Sequence, residues 1–445
     1  MSAAALPATP PAPASVPAAV AAPANDYLFG RRRTVQTFSL LCLLMVFDFA
    51  DRMILAALIP SIKAEWHITD ATAGMLSSIL TLGMVLCAFP ASIAIERWSR
   101  VKTASIMGVV WSLASAAGGL AGSVTQLAAS RALVGAGEAG YAPVSYTWIS
   151  AAFPKRRRQL ALGLFSSAQP IGMALGVALG GYVATHYGWR HALGIMALPG
   201  LLIALWLYRG QDYQTVSVRE IAGKSPAEPA LRGRLAVIAG TPSLVFAYLS
   251  AAMGTLQWVP AVFFLPTYLN RFHDIPVQQA SFMTSGVMLL SIVGVPLGGW
   301  VMDHYNRRNE VAKLLFPIVA SLAATIMLGS AFGIVHGLAW QYGLVIAGAF
   351  VVSAAGTGPL AMTQELVHPA FRPFSATCAV VTLHLLGSVP GPVLAGLLSN
   401  HFGLNDALLY LALAGGALQL TTLLLALRYY RRDLRNVAQH QLQPL

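Results

Sequence analysis

Charge is scarce in this sequence: 10% of its 445 residues are Asp, Glu, Lys or Arg, against 56% hydrophobic residues. Soluble domains carry about a quarter charged residues, so a water-soluble core is excluded as the main architecture. Cysteine is scarcer still. Cys42, Cys87 and Cys378 each stand alone in an apolar run, which excludes a disulfide framework or a Cys-based metal site and leaves them as small packing residues. A Gly-x-x-x-x-Gly-Lys-Ser/Thr phosphate loop is missing, as are a His-Glu-x-x-His helix and a Gly-x-Ser-x-Gly elbow. The ten histidines are scattered at loops and helix ends, apart from His384. These absences argue against an ATP-driven pump, a zinc hydrolase and a serine hydrolase, so neither enzymatic activity nor a bound cofactor is expected. The net charge of +12 comes from basic residues spread over short connectors, not from one stripe, which argues against nucleic acid as a partner. The opening segment has neither the basic start nor the unbroken apolar run of a cleavable signal. Of its first 25 residues, 17 are Ala or Pro, and residues 1–33 read as a disordered cytoplasmic tail.

What is present instead is a series of long apolar windows. Six lie between residues 34–60 and 191–208 and six more between 239–269 and 404–428, each about long enough to cross ~30 Å of hydrocarbon. The fold class expected is therefore an all-α membrane protein with twelve transmembrane helices. A bundle over 34–208, a polar cytoplasmic linker over 209–235, a bundle over 236–428 and a cytoplasmic tail over 429–445 divide the chain. With both termini in the cytoplasm, every Lys and Arg falls inside except Lys63, Arg190 and Arg271, which fall outside, and Arg52 and Arg131, which fall within the membrane. That asymmetry sets the orientation. The expected location is a bacterial cytoplasmic (inner) membrane, with lipid as the surrounding partner and a monomer as the assembly.

The two sets of six repeat each other. A shift of 215 lays Gly172, Gly176, Gly181 and Gly188 on Gly387, Gly391, Gly396 and Gly403, and a shift of 216 lays Gly140 and Pro143 on Gly356 and Pro359. Parallel repeats of this kind form a substrate site between the halves near the bilayer midplane. Glycines spaced by four or five strip one helix face of side chains and allow a neighbouring helix to approach closely.

Against this apolar background the stretch VFDFADRMILAAL places Asp48, Asp51 and Arg52 on one face of the first helix. In the fourth, RALVGAGEA sets Arg131 and Glu138 on one stripe, which Tyr141 and Ser145 extend as candidate substrate contacts. Each uncompensated charge at such depth costs ~2.5–3.5 kcal/mol on insertion scales, a cost that usually marks a pathway. Helix rise places Asp48 and Arg131 at similar depth and Glu138 one to two turns nearer the cytoplasm. Three acids and two arginines leave one negative charge, which a proton would neutralise. The acid with the poorest access to Arg is the best carrier; Glu138 is the candidate, with Asp48 or Asp51 exchanging between Arg52 and Arg131. An arginine facing a cavity also suits a carboxylate or phosphate, so Arg131 and Arg52 are candidate anion sites. Gln257, Trp258 and His384 are further candidate substrate contacts in the second half.

After the eighth window, GGWVMDHYNRR carries Gly299, Asp303, Arg307 and Arg308, and resembles the signature loop of the major facilitator superfamily. The first-half copy, SIAIERWSRVK, has Ser92 in place of Gly and Glu96 in place of Asp, followed by Arg97 and Arg100. By that resemblance these residues form a conformational latch on the cytoplasmic side. The DR of helix 1, RxxxGxGEA of helix 4, FFLPTYLNRFH of helix 7 and HLLGSVPGPVLAGLLSNHFG of helix 11 together look most like the spinster-like branch. The resemblance implies two pseudo-symmetric six-helix bundles and a transporter driven by the proton gradient, with lysolipids, sphingoid phosphates or other amphipathic anions as candidate cargo. It carries Asp51, Arg52, Arg131 and Glu138 over as proton-linked or substrate-facing positions. The anion:cation symporter branch, whose members take up sugar acids and other organic carboxylates, shares the DR and GEA and is the close alternative. A non-transporting sensor built on the same fold is the other class considered.

Overall fold

The computed structural model describes residues 27–97, 99–212, 231–306, 312–367 and 372–441. Among the described residues no strand is present. Helices are the expected answer, since in lipid every backbone N–H and C=O must be satisfied within its own segment. The first half consists of α1 (Arg31–Trp66), α2 (Asp70–Arg97), α3 (Arg100–Gly119), α4 (Val124–Glu138), α5 (Tyr141–Ala152), α6 (Lys155–Tyr187) and α7 (Trp189–Leu207). The second follows a short helix, α8 (Leu231–Ala239), and consists of α9 (Pro242–His273), α10 (Val277–Leu289), α11 (Ser291–Asn306), α12 (Ala312–Gly333), α13 (Leu338–Ala355), α14 (Thr357–Glu365), α15 (Arg372–Leu383), a π-helical turn (His384–Ser388), α16 (Pro390–Phe402) and α17 (Leu404–Gln441). Three pairs, α4/α5, α10/α11 and α13/α14, each form one interrupted crossing, and α15, the π turn and α16 form another. The result is twelve crossings. Among the described residues, nine stretches are long and apolar enough to cross on length and composition alone. The charge-bearing α1, α3, and the broken pair α4/α5 complete the set.

The halves repeat in their irregularities as well as in their helices. α1 closes on His67 and α9 on Asp274, both left-handed at φ 50° and 52°. The α6–α7 and α16–α17 junctions turn on Gly188 and Gly403, both at φ 87°, a backbone geometry that a Cβ would strain. The fourth crossing breaks at Ala139 and Gly140 and its counterpart at Gly356.

Close packing follows the glycine pattern. A Cβ at Gly172 would meet the Val46 carbonyl of α1, and one at Gly387 the Ala252 carbonyl of α9, so these two glycines seat α6 and the π turn against the first helix of their own half. Further along, the partners change sides: Gly181 lies on Ser281 of α10, and Gly396 on the backbone of Asp70 and Ala71 of α2. The halves therefore meet where α6 packs on α10 and α2 on α16. Two hydroxyls stitch this seam, Ser78 donating to the Val389 carbonyl at 2.6 Å and Ser285 to the Ala174 carbonyl at 2.8 Å.

At the end bearing the termini, α17 runs on to Gln441, so the segment expected as a tail begins as helix. Its Asp433, 2% exposed, accepts from the Ser243 amide at 2.9 Å and hydroxyl at 2.7 Å and caps the start of α9. Residues 1–26 and most of the linker lie outside the described residues.

Candidate functional site

The intramembrane charges come together where α1 faces α4. Glycine makes this possible: a Cβ at Gly135 would meet the Leu80 carbonyl of α2, and one at Gly137 would meet Trp111 of α3. α4 thus sinks between those helices and carries Arg131 and Glu138 into the bundle. All five charged side chains lie close together, but they divide into two groups.

Arg131, fully buried, lies 3.5 Å from Asp51 Oδ2 and donates to the Asp51 carbonyl at 3.2 Å and to Ser115 Oγ at 3.2 Å. Ser115 in turn donates to Asp51 Oδ1. This group pairs one acid with one base. The second group shares one guanidinium between two acids: Arg52 Nη2 is 3.0 Å from Asp48 Oδ2, and Arg52 Nε is 2.9 Å from Glu138 Oε2. Asp48 and Glu138 have side chains 0% exposed, whereas Arg52 is 18% exposed and its guanidinium lies 4.5 Å over the Phe49 ring. The guanidinium reaches both acids at ion-pair distance, and no second donor among the described residues bonds their four carboxylate oxygens. With every group ionised, this second cluster carries one net negative charge in a setting that tolerates none cheaply.

Two expectations are corrected here. Glu138 is not the acid with the poorest access to Arg, because it sits against Arg52; depth counted from guessed helix ends had no azimuth to show that contact. Arg131 matches the level of Asp51 rather than that of Asp48, a shift of about one turn.

The other candidates scatter. Tyr141 and Ser145 do not continue the Arg131–Glu138 stripe, because the break at Ala139 and Gly140 re-aims the chain. The Tyr141 hydroxyl donates to the Leu41 carbonyl, its ring lies edge-on to Trp111 at 5.4 Å, and the Ser145 hydroxyl donates to the Tyr141 carbonyl at 2.9 Å. Both are buried packing residues. Gln257 turns towards α12 and α17, donating to Thr325 Oγ1 at 3.2 Å and to the Ala412 carbonyl at 3.0 Å, away from the first half. Trp258 is half-buried against the apolar core. His384 opens the π turn, its Nδ1 3.2 Å from Ser388 Oγ, and that turn packs on α9 and, across the interface, on α2. Sequence reasoning missed Ser115, whose short polar side chain carries no charge to single it out.

Of the latch residues, Arg307 and Arg308 lie outside the described residues, and Glu96, Arg97 and Asp303 are described by their backbone alone, at the ends of α2 and α11. Arg100 opens α3, beside Ser99, whose hydroxyl accepts from the Lys102 amide at 3.2 Å.

Two six-helix bundles related by an internal repeat, with charge buried beside the seam, define a twelve-crossing membrane protein of the two-bundle class. The family model described as Major Facilitator Superfamily matches residues 40–382, and the chain belongs to that family. Protein spinster of Drosophila melanogaster is 23% identical over 378 residues, which cover 82% of this chain and 62% of the fly protein, so the chain spans less than two thirds of that relative. The hexuronate transporter of Bacillus subtilis (strain 168) is 24% identical over 406 residues, covering 87% of this chain and 92% of that protein. Among solved structures, a bacterial homolog to human lysosomal transporter Spinster, in an inward-facing and unoccupied conformation, superposes with a TM-score of 0.76 at 20% identity, covering 94% of this chain and 100% of its own. The family is one of transporters and not of enzymes, and the chain's resemblance to the spinster-like branch stands.

Proposed function

We propose that this transporter moves an organic anion together with protons by alternating access, with the proton gradient as its energy source. The observation that carries this reading is the shared guanidinium: Asp48 and Glu138, both fully buried, have Arg52 as their one ion-pair partner among the described residues. A proton on either acid brings the cluster to neutrality. It also loosens that acid's hold on Arg52, the one member of the three with solvent access, and frees it to bind an anion. Cargo and proton then favour each other, since an anion approaching the unprotonated cluster would meet a net negative site. Asp51 is better held, by Arg131 and Ser115, and belongs to the frame of the site. His384 offers a second contact from the opposite half, so that a bound anion would bridge the two bundles.

The cargo class follows from the donors: a carboxylate or phosphate suits Arg52 as a bidentate partner. A sugar acid is supported by the hexuronate relative, which is matched nearly end to end, and an amphipathic cargo by an Arabidopsis thaliana relative named a probable sphingolipid transporter, 24% identical over 371 residues. We place both termini inside, on the strength of the basic connectors, and take a monomer in a bacterial cytoplasmic membrane as the setting. The end at which α1 meets α2 then faces outward.

Uptake into proteoliposomes under an imposed pH gradient, with a panel of sugar acids, simple carboxylates and lysolipids, tests the reading. One class should accumulate, and collapsing the gradient should stop it. Accumulation that is indifferent to the gradient overturns the proton; no movement of any anion overturns the cargo.

A further inference from the structure

The charge cluster above lies within the first half, but a different carboxylate ties the halves together. Asp70, the first residue of α2, is 5% exposed at the end opposite the termini, and four donated bonds converge on it. Arg271, in the last turn of α9, donates through Nη1 to Oδ2 at 2.8 Å and through Nη2 to Oδ1 at 2.9 Å. Ser399 of α16 donates to Oδ2 at 2.6 Å. Lys63, in the last turn of α1, donates to Oδ1. Arg271 and Ser399 belong to the second half, Lys63 and Asp70 to the first.

The surrounding seam is backbone against backbone. A Cβ at Gly74, one turn beyond Asp70, would clash with the Pro392 carbonyl of α16, and one at Gly396 would clash with Asp70 itself. Separating the halves here removes Arg271 and Ser399 from Asp70 together. Such a carboxylate, stripped of its partners, would resist separation strongly. Lys63, however, travels with Asp70.

We propose that Asp70 is a bolt with two keepers: it is held by Arg271 while this end is shut and handed to Lys63 when it opens, so that the balance between the two cations sets how often the end opens. Arg271 favours the closed form. Lys63 favours the open one, because it keeps the released carboxylate paired. This rests on the alternating access of the family and not on the proposed cargo or proton.

The hand-over gives substitutions of opposite sign. Spin labels at the exposed positions Ala64 and His401, one on each side of the seam, report its opening as a longer interlabel distance, with no cargo or pH gradient needed. Asp70→Asn and Arg271→Gln should each raise the ratio of open to closed molecules about tenfold, and the double variant should go no further than either alone. Gly74→Val should wedge the same seam open without touching charge. On that background, Lys63→Met should lower the open fraction. If Asp70→Asn does not accumulate, Arg271→Gln, which leaves Asp70 with Lys63 and Ser399, carries the test. Unchanged distances in a monodisperse Arg271→Gln protein overturn the bolt. A rise in the open fraction with Lys63→Met overturns the hand-over. Failure of the parent protein to take up any anion, with the variants' distances shifted as expected, would leave this inference standing while overturning the transport reading.

Discussion

Asp51 in the first half and Gln257 in the second stand at corresponding places. Gly172 on the Val46 carbonyl and Gly387 on the Ala252 carbonyl set the register between α1 and α9, and in that register one residue falls on the other. Each reaches the third helix of its own half, Asp51 to Ser115 and Gln257 to Thr325. The job is the same and the chemistry differs. A neutral amide suffices to bind α9 to α12, so a carboxylate is not required to hold α1 to α3. The first half nevertheless uses one, adds Arg131 to offset it, and places a second charged group one turn away. The excess charge of the first half is therefore not explained by helix packing, and this is the physical ground for assigning coupling to that half.

The sharpest test of the contrast is Glu138→Gln, which should reduce gradient-driven uptake to the level of empty liposomes while exchange of cargo across the membrane persists; unaltered driven uptake would show the charge to be structural after all. Arg131→Leu strands Asp51 and should destabilise the protein by about 3–5 kcal/mol in thermal unfolding, most of it recovered in the Asp51→Leu, Arg131→Leu double variant. Importing the first half's chemistry into the second, Gln257→Glu adds an acid with no arginine to meet it and should cost about 2.5–3.5 kcal/mol at neutral pH, less in acid, where protonation removes the charge. An unfolding temperature independent of pH in that variant would mean the second half can also shelter a charge. Smallest of all, Gln257→Leu should cost about 1 kcal/mol and leave driven uptake within about twofold of the parent, since it removes hydrogen bonds and no charge.

Much of this contrast is legible in the amino-acid sequence. Asp48, Asp51, Arg52, Arg131 and Glu138 stand out because lipid makes charge expensive, and the repeat stands out because close helix contact demands glycine at fixed intervals. Which residue pairs with which is not legible there, because rise per residue gives depth to about a turn and says nothing about direction around the axis. Tyr141 and Ser145 mislead because their spacing assumes an unbroken helix through Ala139 and Gly140. Gln257 misleads for another reason: a polar residue in an apolar helix can turn inward to a neighbour as readily as to a cavity. Asp70 escapes notice because an acid in the first turn of a helix already has a sufficient local reason, the favourable interaction with the helix dipole. Its partners Arg271 and Ser399 lie 201 and 329 residues away, beyond the reach of any local pattern.

The cap that Asp433 places on α9 joins residues 190 apart. Ser243 is synthesised and inserted long before the carboxylate that completes its helix has left the ribosome. The second bundle must therefore wait, with one helix mouth unfinished, until its last helix has been made.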